Sequence, residues 1–295
     1  MSSAAKKILR AVALFPLSMA GKYANLLTHI KHSWGYLYFE IIIKIISRQV
    51  TVVSHKSNSL DIKMKFYTPN AICRFRAQSF SDKEPETLEW IDSYGGGTFY
   101  DIGANVGLYT IYYAKKYSGK VYAFEPSAFN LGLLIKNISI NNVTDRVIII
   151  PNPLTSHQQI ANFLISESQE GGASSTFGEE YGYDGQPLKV EFSYQTIGYS
   201  LDLLVSVGSL PQVPSLMKID VDGIENLILR GGMNLLSNQS LRTVLIEVNE
   251  DFIKAATEVN EIMHLANFKL AKKEHGQMLE GTAYGNTFNQ IWTRQ

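Results

Sequence analysis

The sequence predicts an α/β protein built on a doubly wound, mostly parallel sheet. Three observations carry this reading. Beyond about residue 98, short apolar runs alternate with helical stretches of about ten to fifteen residues, the pattern of right-handed β-α-β crossovers. A glycine-rich turn, Asp101-Ile-Gly-Ala-Asn-Val-Gly107, stands where the first of these strands gives way to a helix. One β-α-β unit later, the apolar strand Val121-Tyr-Ala-Phe124 ends in an acid, Glu125.

In chain order, residues 1–50 read as a basic, apolar extension of helical character. Lys6, Lys7 and Arg10 precede the run Ala11–Ala20, which is similar to a short signal peptide with Ser18 and Ala20 before a cut. Pro16 interrupts that run, and it is too short to span a bilayer. A second apolar stretch, Trp34–Ile46, is broken by Glu40 and Lys44. Such a segment either rests on an anionic membrane surface or packs as a helical extension on the core or on a second subunit. Residues 51–94 lead into the core: Thr51–Ser54 and Leu60–Phe66 alternate at period two, a strand pair, and Lys83–Ser93 reads as a helix.

The core is assigned to residues 95–295. Strands are expected at Thr98–Ile102, Lys120–Phe124, Arg146–Ile150, Ser215–Asp220, Arg242–Val248, Phe268–Lys272 and Asn286–Thr293. Helices are expected at Val106–Tyr117, Ser127–Ile140, Ile224–Leu236 and Asp251–Leu265. Residues 154–200 interrupt the alternation with extended pieces around Gly171-Gly-Ala-Ser-Ser175. The long loop near 166–187 is a candidate lid or substrate loop.

Composition excludes several classes. Hydrophobic residues at 45% and charged residues at 18% mark an ordinary globular chain. Net charge is zero, yet residues 1–60 hold eight Lys and Arg against Glu40 alone, so the remainder is acidic. That argues against a broad basic face for nucleic acid. A single cysteine, Cys73, excludes an intramolecular disulfide and a cysteine-based zinc cluster, and reads as a packed thiol. The six histidines form no closely spaced ligand pair.

The turn distinguishes between cofactors. Gly103 lets the backbone approach a ligand, and Gly107 permits close packing where the helix starts. A dinucleotide fingerprint needs a glycine where this chain has Asp101, and an acid there would repel a pyrophosphate. An acid suits an ammonium group instead, such as the one on the methionine part of S-adenosylmethionine. Glu125, 22 residues after Gly103, stands where a carboxylate accepts both ribose hydroxyls. The plainer use of Asp101 and Glu125 is to cap the helices that follow them.

Phe99-Tyr-Asp-Ile-Gly-Ala-Asn-Val-Gly107 followed by Ala123-Phe-Glu-Pro126 resembles the class I methyltransferases, and among them the FkbM-type family. A third block supports the subfamily: Ser200-Leu-Asp202, Met217-Lys-Ile-Asp-Val-Asp-Gly-Ile-Glu225 and Leu245-Ile-Glu-Val248. Asp222 stands where that family more often has Glu, and Pro153 follows Asn152 where a small residue is commoner. The resemblance implies a Rossmann-like seven-stranded sheet with its last strand antiparallel. It also implies an S-adenosylmethionine site of Asp101, Gly103, Asn105, Gly107, Glu125 and Asn152.

Methyl transfer from a sulfonium is an in-line displacement, and an alcohol acceptor must also lose its proton. Asp220, at the carboxyl end of a core strand, is the expected base or orienting group, with Glu247 next. Asp222 and Glu225 either join them or cap the helix near Gly223. Asp220, Glu247 and Asn249 are hard oxygen donors that would suit magnesium. Tyr181 and Tyr183 either stack on a flat acceptor or pack internally. The expected activity is O-methylation of a sugar hydroxyl on a surface polysaccharide or glycolipid, or of a secondary metabolite. The expected location is cytoplasmic, peripheral to the inner membrane face if residues 1–50 touch lipid. The competing reading is a non-catalytic S-adenosylmethionine-binding module within a larger complex. A nicotinamide oxidoreductase fails on Asp101.

Overall fold

A computed structural model of the chain describes residues 3–57 and 59–294, with the side chains of residues 3–14, 17 and 279 excepted. The basic side chains of the leader-like segment, Lys6, Lys7 and Arg10, thus lie outside the described residues. The chain divides into two compact units, residues 1–49 and 50–295.

The first unit is helical, α1 (Ser3–Ile30) and α2 (His32–Ser47). The two helices touch through Gly35, where a Cβ would lie 2.7 Å from the Ala24 carbonyl oxygen. Beyond that contact α2 is apolar around most of its girth: Trp34, Leu37, Phe39, Ile41, Ile43 and Ile45 are all exposed. Among the described residues no helix is long and apolar enough to cross a membrane.

The second unit starts with an antiparallel pair, β1 (Val50–Ser57) and β2 (Leu60–Tyr67), then α3 (Ala71–Gln78) and α4 (Pro85–Tyr94). The core follows as β3 (Phe99–Ile102), α5 (Leu108–Lys116), β4 (Val121–Phe124), α6 (Ala128–Ile140) and β5 (Val147–Ile150). A small antiparallel sheet comes next, β6 (Gln159–Ile165), β7 (Ser175–Phe177) and β8 (Phe192–Gly198). The core resumes with α7 (Leu201–Ser206), β9 (Leu216–Ile219), α8 (Glu225–Arg230), α9 (Met233–Ser237) and β10 (Thr243–Asn249). It ends with α10 (Ile253–Leu265), β11 (Phe268–Glu274) and β12 (Thr287–Arg294).

The seven core strands lie in the order β11-β12-β10-β9-β3-β4-β5. All neighbours pair in parallel except β12, which runs antiparallel to both β10 and β11. The class and the strand count are those the sequence predicts. Strands β3, β4 and β9 are buried at every position, because helices cover both faces of the sheet. Alternate residues feed opposite layers: Tyr100, Ile102, Met217 and Ile219 join one apolar cluster, while Phe99, Val121 and Leu216 join the other.

Side chains fasten the leading segment to this core. The Asn137 side chain accepts from the Tyr67 N–H at 2.8 Å and donates to the Val106 carbonyl at 2.9 Å. Trp90 is 1% exposed and donates from Nε1 to Thr243 Oγ1 at 2.8 Å, docking α4 on β10. Residues 51–94 therefore fold within the core unit. The helix expected over Ile224–Leu236 is instead two, α8 and α9, broken at Gly231-Gly232. A Cβ on Gly231 would lie 2.3 Å from the Thr155 carbonyl oxygen, so the chain turns where another segment crosses it.

Candidate active site

The turn between β3 and α5 holds three residues in left-handed backbone: Gly103 (φ +83°), Asn105 (φ +51°) and Gly107 (φ +89°). The Gly103 and Ala104 N–H groups both donate to the Phe124 carbonyl at 3.0 Å, and the Asn105 N–H donates to Glu125 Oε2 at 2.7 Å. Glu125 also accepts from the Ser127 N–H at 2.8 Å. It is 5% exposed, and burial outweighs these amide bonds, pushing its carboxyl up to about 7. Gly103 admits no side chain, since a Cβ would lie 1.8 Å from the Asp220 carbonyl oxygen. The turn after β3 is thereby pressed against the end of β9.

Gly103, Asn105, Glu125 and Asn152 line one cavity of about 70 Å³, walled by apolar Phe124, Leu154, Phe163 and Ile224. A buried acid at the rim of an apolar slot suits a ribose joined to a flat base. Asn152 also donates to the Ile197 carbonyl at 3.3 Å. Gly107 and Asp101 lie outside this lining. Gly107 supports the turn from below, where a Cβ would lie 2.6 Å from Leu134 Cδ1.

Asp101 is placed beside a cation of the chain itself. Its side chain is 1% exposed, accepts from Thr110 Oγ1, and sits beside the Lys218 ammonium. Burial raises its carboxyl above the usual range. Its Oδ1 has no hydrogen-bond partner among the described residues. The cation facing it comes from the chain itself: Lys218 stands opposite Asp101 in the β3–β9 register, and both point to the same side of the sheet.

Lys218 is the site residue that sequence reasoning missed. It is 1% exposed, forms an ion pair with Asp220, and lies 5.2 Å from the Tyr109 ring centroid. Burial opposes its charge, but Asp220, Asp101 and Glu84 more than restore it. Asp220 in turn resists the effect of burial: Lys218, Lys83 and a hydrogen bond from Glu247 hold it below the usual carboxylate range. Glu247 moves the other way, raised well above that range by burial and by the charges of Asp220 and Glu84. Of the pair, Asp220 is the more readily ionised member and Glu247 holds its proton to higher pH.

Asp220 and Glu247 meet in a second, wider cleft of about 410 Å³, shared with Arg76, Asp222, Met278 and Tyr284. Asp222 is pushed up to about 6 by burial and by Asp220, and accepts from the Ser175 N–H at 3.2 Å. Glu225 accepts from the Gly223 N–H at 3.1 Å and Val221 N–H at 3.3 Å, so it holds the loop before α8 and stays out of the cleft. Asn249 is not brought to the pair; its Oδ1 accepts from the Asp251 N–H at 3.0 Å. Among the described residues no group of three or more His, Cys, Asp or Glu side chains is placed to hold a metal ion.

The 166–187 segment lies across the first cavity and is fastened there. Asn105 and Asn130 both donate to the Gly172 carbonyl, at 2.8 and 3.1 Å, and the Gly171 N–H donates to Asn130 Oδ1 at 2.8 Å. Tyr181 packs edge-on against Phe252, while Tyr183 stacks, with ring centroids 4.7 Å apart, on Tyr284, an exposed residue of the cleft wall. Cys73 is a buried thiol pushed up to about 11 by burial, which leaves it inert.

Fold and site together define a class I methyltransferase using S-adenosylmethionine. The Methyltransferase FkbM domain matches residues 101–270, and the chain belongs to that family. No curated protein matches the sequence significantly. Among solved structures, the precorrin-6y C5,15-methyltransferase of Geobacter metallireducens is 12% identical over 72% of this chain and 86% of its own, with a TM-score of 0.40. An rRNA methylase from Streptococcus thermophilus is 11% identical over 71% of this chain and 94% of its own, TM-score 0.43. A ribosomal protein L11 methylase from Lactobacillus delbrueckii is 11% identical over 67% of this chain and 70% of its own, TM-score 0.35.

The site residues fit S-adenosylmethionine: Glu125 to the ribose, the apolar slot to the base, and the Gly103 turn against the chain between them. Hydroxyl donors favour the ionised form of Glu125, so binding releases its proton and affinity rises with pH up to about 7. Calorimetry with S-adenosylhomocysteine should show a dissociation constant that falls up to about tenfold per pH unit below that point. Glu125→Gln should bind weakly and without this slope. A flat profile in the wild type would contradict the assignment.

Proposed function

We propose that the protein methylates a hydroxyl group on a sugar, carried by a surface polysaccharide or glycolipid or by a secondary metabolite. The observation that carries this reading is the Asp220–Glu247 pair at the wall of the wider cleft. When bound, S-adenosylmethionine supplies a methyl group activated on a sulfonium. Glu247 donates its one O–H to Asp220 and so orients that carboxylate toward the acceptor. Asp220, held ionised, receives the hydroxyl proton. A carboxylate of low basicity suffices for this, because the oxygen becomes strongly acidic as it takes the methyl group. Positioning by the cleft walls supplies much of the remaining rate.

Radiolabelled methyl transfer to glycan and glycolipid acceptors tests the reading. The expected product is an alkali-stable methyl ether. Asp220→Asn should lower kcat by about 10² to 10⁴ while S-adenosylhomocysteine affinity changes only a few-fold. Label recovered as an alkali-labile ester or on nitrogen, or full activity in Asp220→Asn, would contradict it.

The helical unit favours a lipid-linked acceptor. Its exposed aliphatic and aromatic residues lie on a segment with seven Lys and Arg in residues 1–49 against Glu40 alone. At about 1.5 Å per residue α2 is shorter than a bilayer core, so it would lie along an anionic surface. The whole protein should sediment with vesicles containing phosphatidylglycerol, less so at high salt, and Trp34→Glu/Ile43→Glu should abolish this. Equal binding to neutral phosphatidylcholine vesicles, or a salt-independent dimer with no vesicle binding, would refute the contact.

A further inference from the structure

The segment before the family-matched region carries two cations beside the Gly103 turn. Arg76, on α3, and Lys83, just before α4, line a third cavity together with Gly103, Asn105, Tyr109 and Asp220. Gly103 and Asn105 also line the Glu125 cavity, so the two spaces meet at one turn. Each cation is already oriented by the protein. Arg76 donates from Nε to the Gly171 carbonyl at 2.7 Å, and among the described residues no hydrogen bond engages its terminal nitrogens. Lys83 pairs with Glu84 at 2.5 Å, and Glu84 also accepts from the Tyr109 hydroxyl at 2.9 Å. Glu84 is 3% exposed, which leaves Lys83 facing the opening at 31%.

We propose that Arg76 and Lys83 bind the carboxylate of the methionyl part of S-adenosylmethionine. This rests on the cofactor assignment made above and adds a recognition element from outside residues 101–270. A ligand with its ribose at Glu125 and its chain crossing Gly103 emerges into this third cavity. There it meets a guanidinium whose free nitrogens suit the two oxygens of a carboxylate, and an ammonium beside it. Gly171 belongs to the segment that covers the Glu125 cavity, so the bond from Arg76 Nε ties that cover to the carboxylate-binding group. The cover and the amino-acid end of the cofactor are thus held by one side chain.

Two ligands separate this inference from the cofactor assignment. S-Adenosylhomocysteine carries the amino-acid carboxylate; 5′-methylthioadenosine has the same base, ribose and sulfur without it. Calorimetry on the full chain should show Arg76→Gln weakening S-adenosylhomocysteine about 10- to 100-fold, the effect of losing one charge-assisted hydrogen bond. Binding of 5′-methylthioadenosine should change less than about twofold, which also reports a folded pocket. Lys83→Gln should act in the same direction, and Arg76→Lys should recover part of the loss. Equal weakening of both ligands, or no effect on either, would overturn the inference while leaving the cofactor assignment intact. Failure of both ligands to bind the wild type would overturn the two together.

Discussion

The buried ammonium of Lys218 is the charge on which the site depends. It stands in the middle of the sheet, in register with Asp101, two residues before Asp220 and close to Glu84. Three acids crowd one apolar layer, and without a cation among them they would have to take up protons. With it, Asp220 keeps its charge at the cleft wall, while Glu247 holds its proton to higher pH. Tyr109 closes the arrangement from α5, its ring over Lys218 and its hydroxyl on Glu84. The charge state of the cleft wall is therefore set by a residue that is absent from the cleft lining.

The backbone contributes a second constraint. Gly103 and Asp220 approach so closely that the turn after β3 and the end of β9 form one surface. The Glu125 cavity, the Arg76–Lys83 cavity and the Asp220–Glu247 cleft all share Gly103 and Asn105. The covering segment has the same economy: Asn130 and Asn105 hold Gly172 from below, Arg76 holds Gly171, and Asp222 holds Ser175.

Most of the fold was legible because parallel strands covered on both faces must be apolar, and the runs around Phe99, Val121, Leu216 and Thr243 stand out as such. The Asp101–Gly107 turn and Glu125 were legible for the same reason, as polar exceptions at strand ends. Lys218 was hidden inside an apolar run, and only the pairing of β9 with β3 places it opposite Asp101. Arg76 and Lys83 lie well upstream of the turn and carry no local mark of a shared cavity. Helix α3 has just eight residues, and its one signal, the Asn70 side chain capping the Cys73 N–H, is easily passed over. The break at Gly231-Gly232 was missed because apolar periodicity runs on across it.

Carboxyl-carbon NMR of Asp220 and Glu247 between about pH 5 and pH 8 tests the charge arrangement most directly. The Lys218 account predicts an Asp220 signal that stays at its ionised position throughout, and a Glu247 signal that stays protonated past the usual glutamate range. An Asp220 that titrates within that window, or a Glu247 already ionised at its lower end, would contradict it.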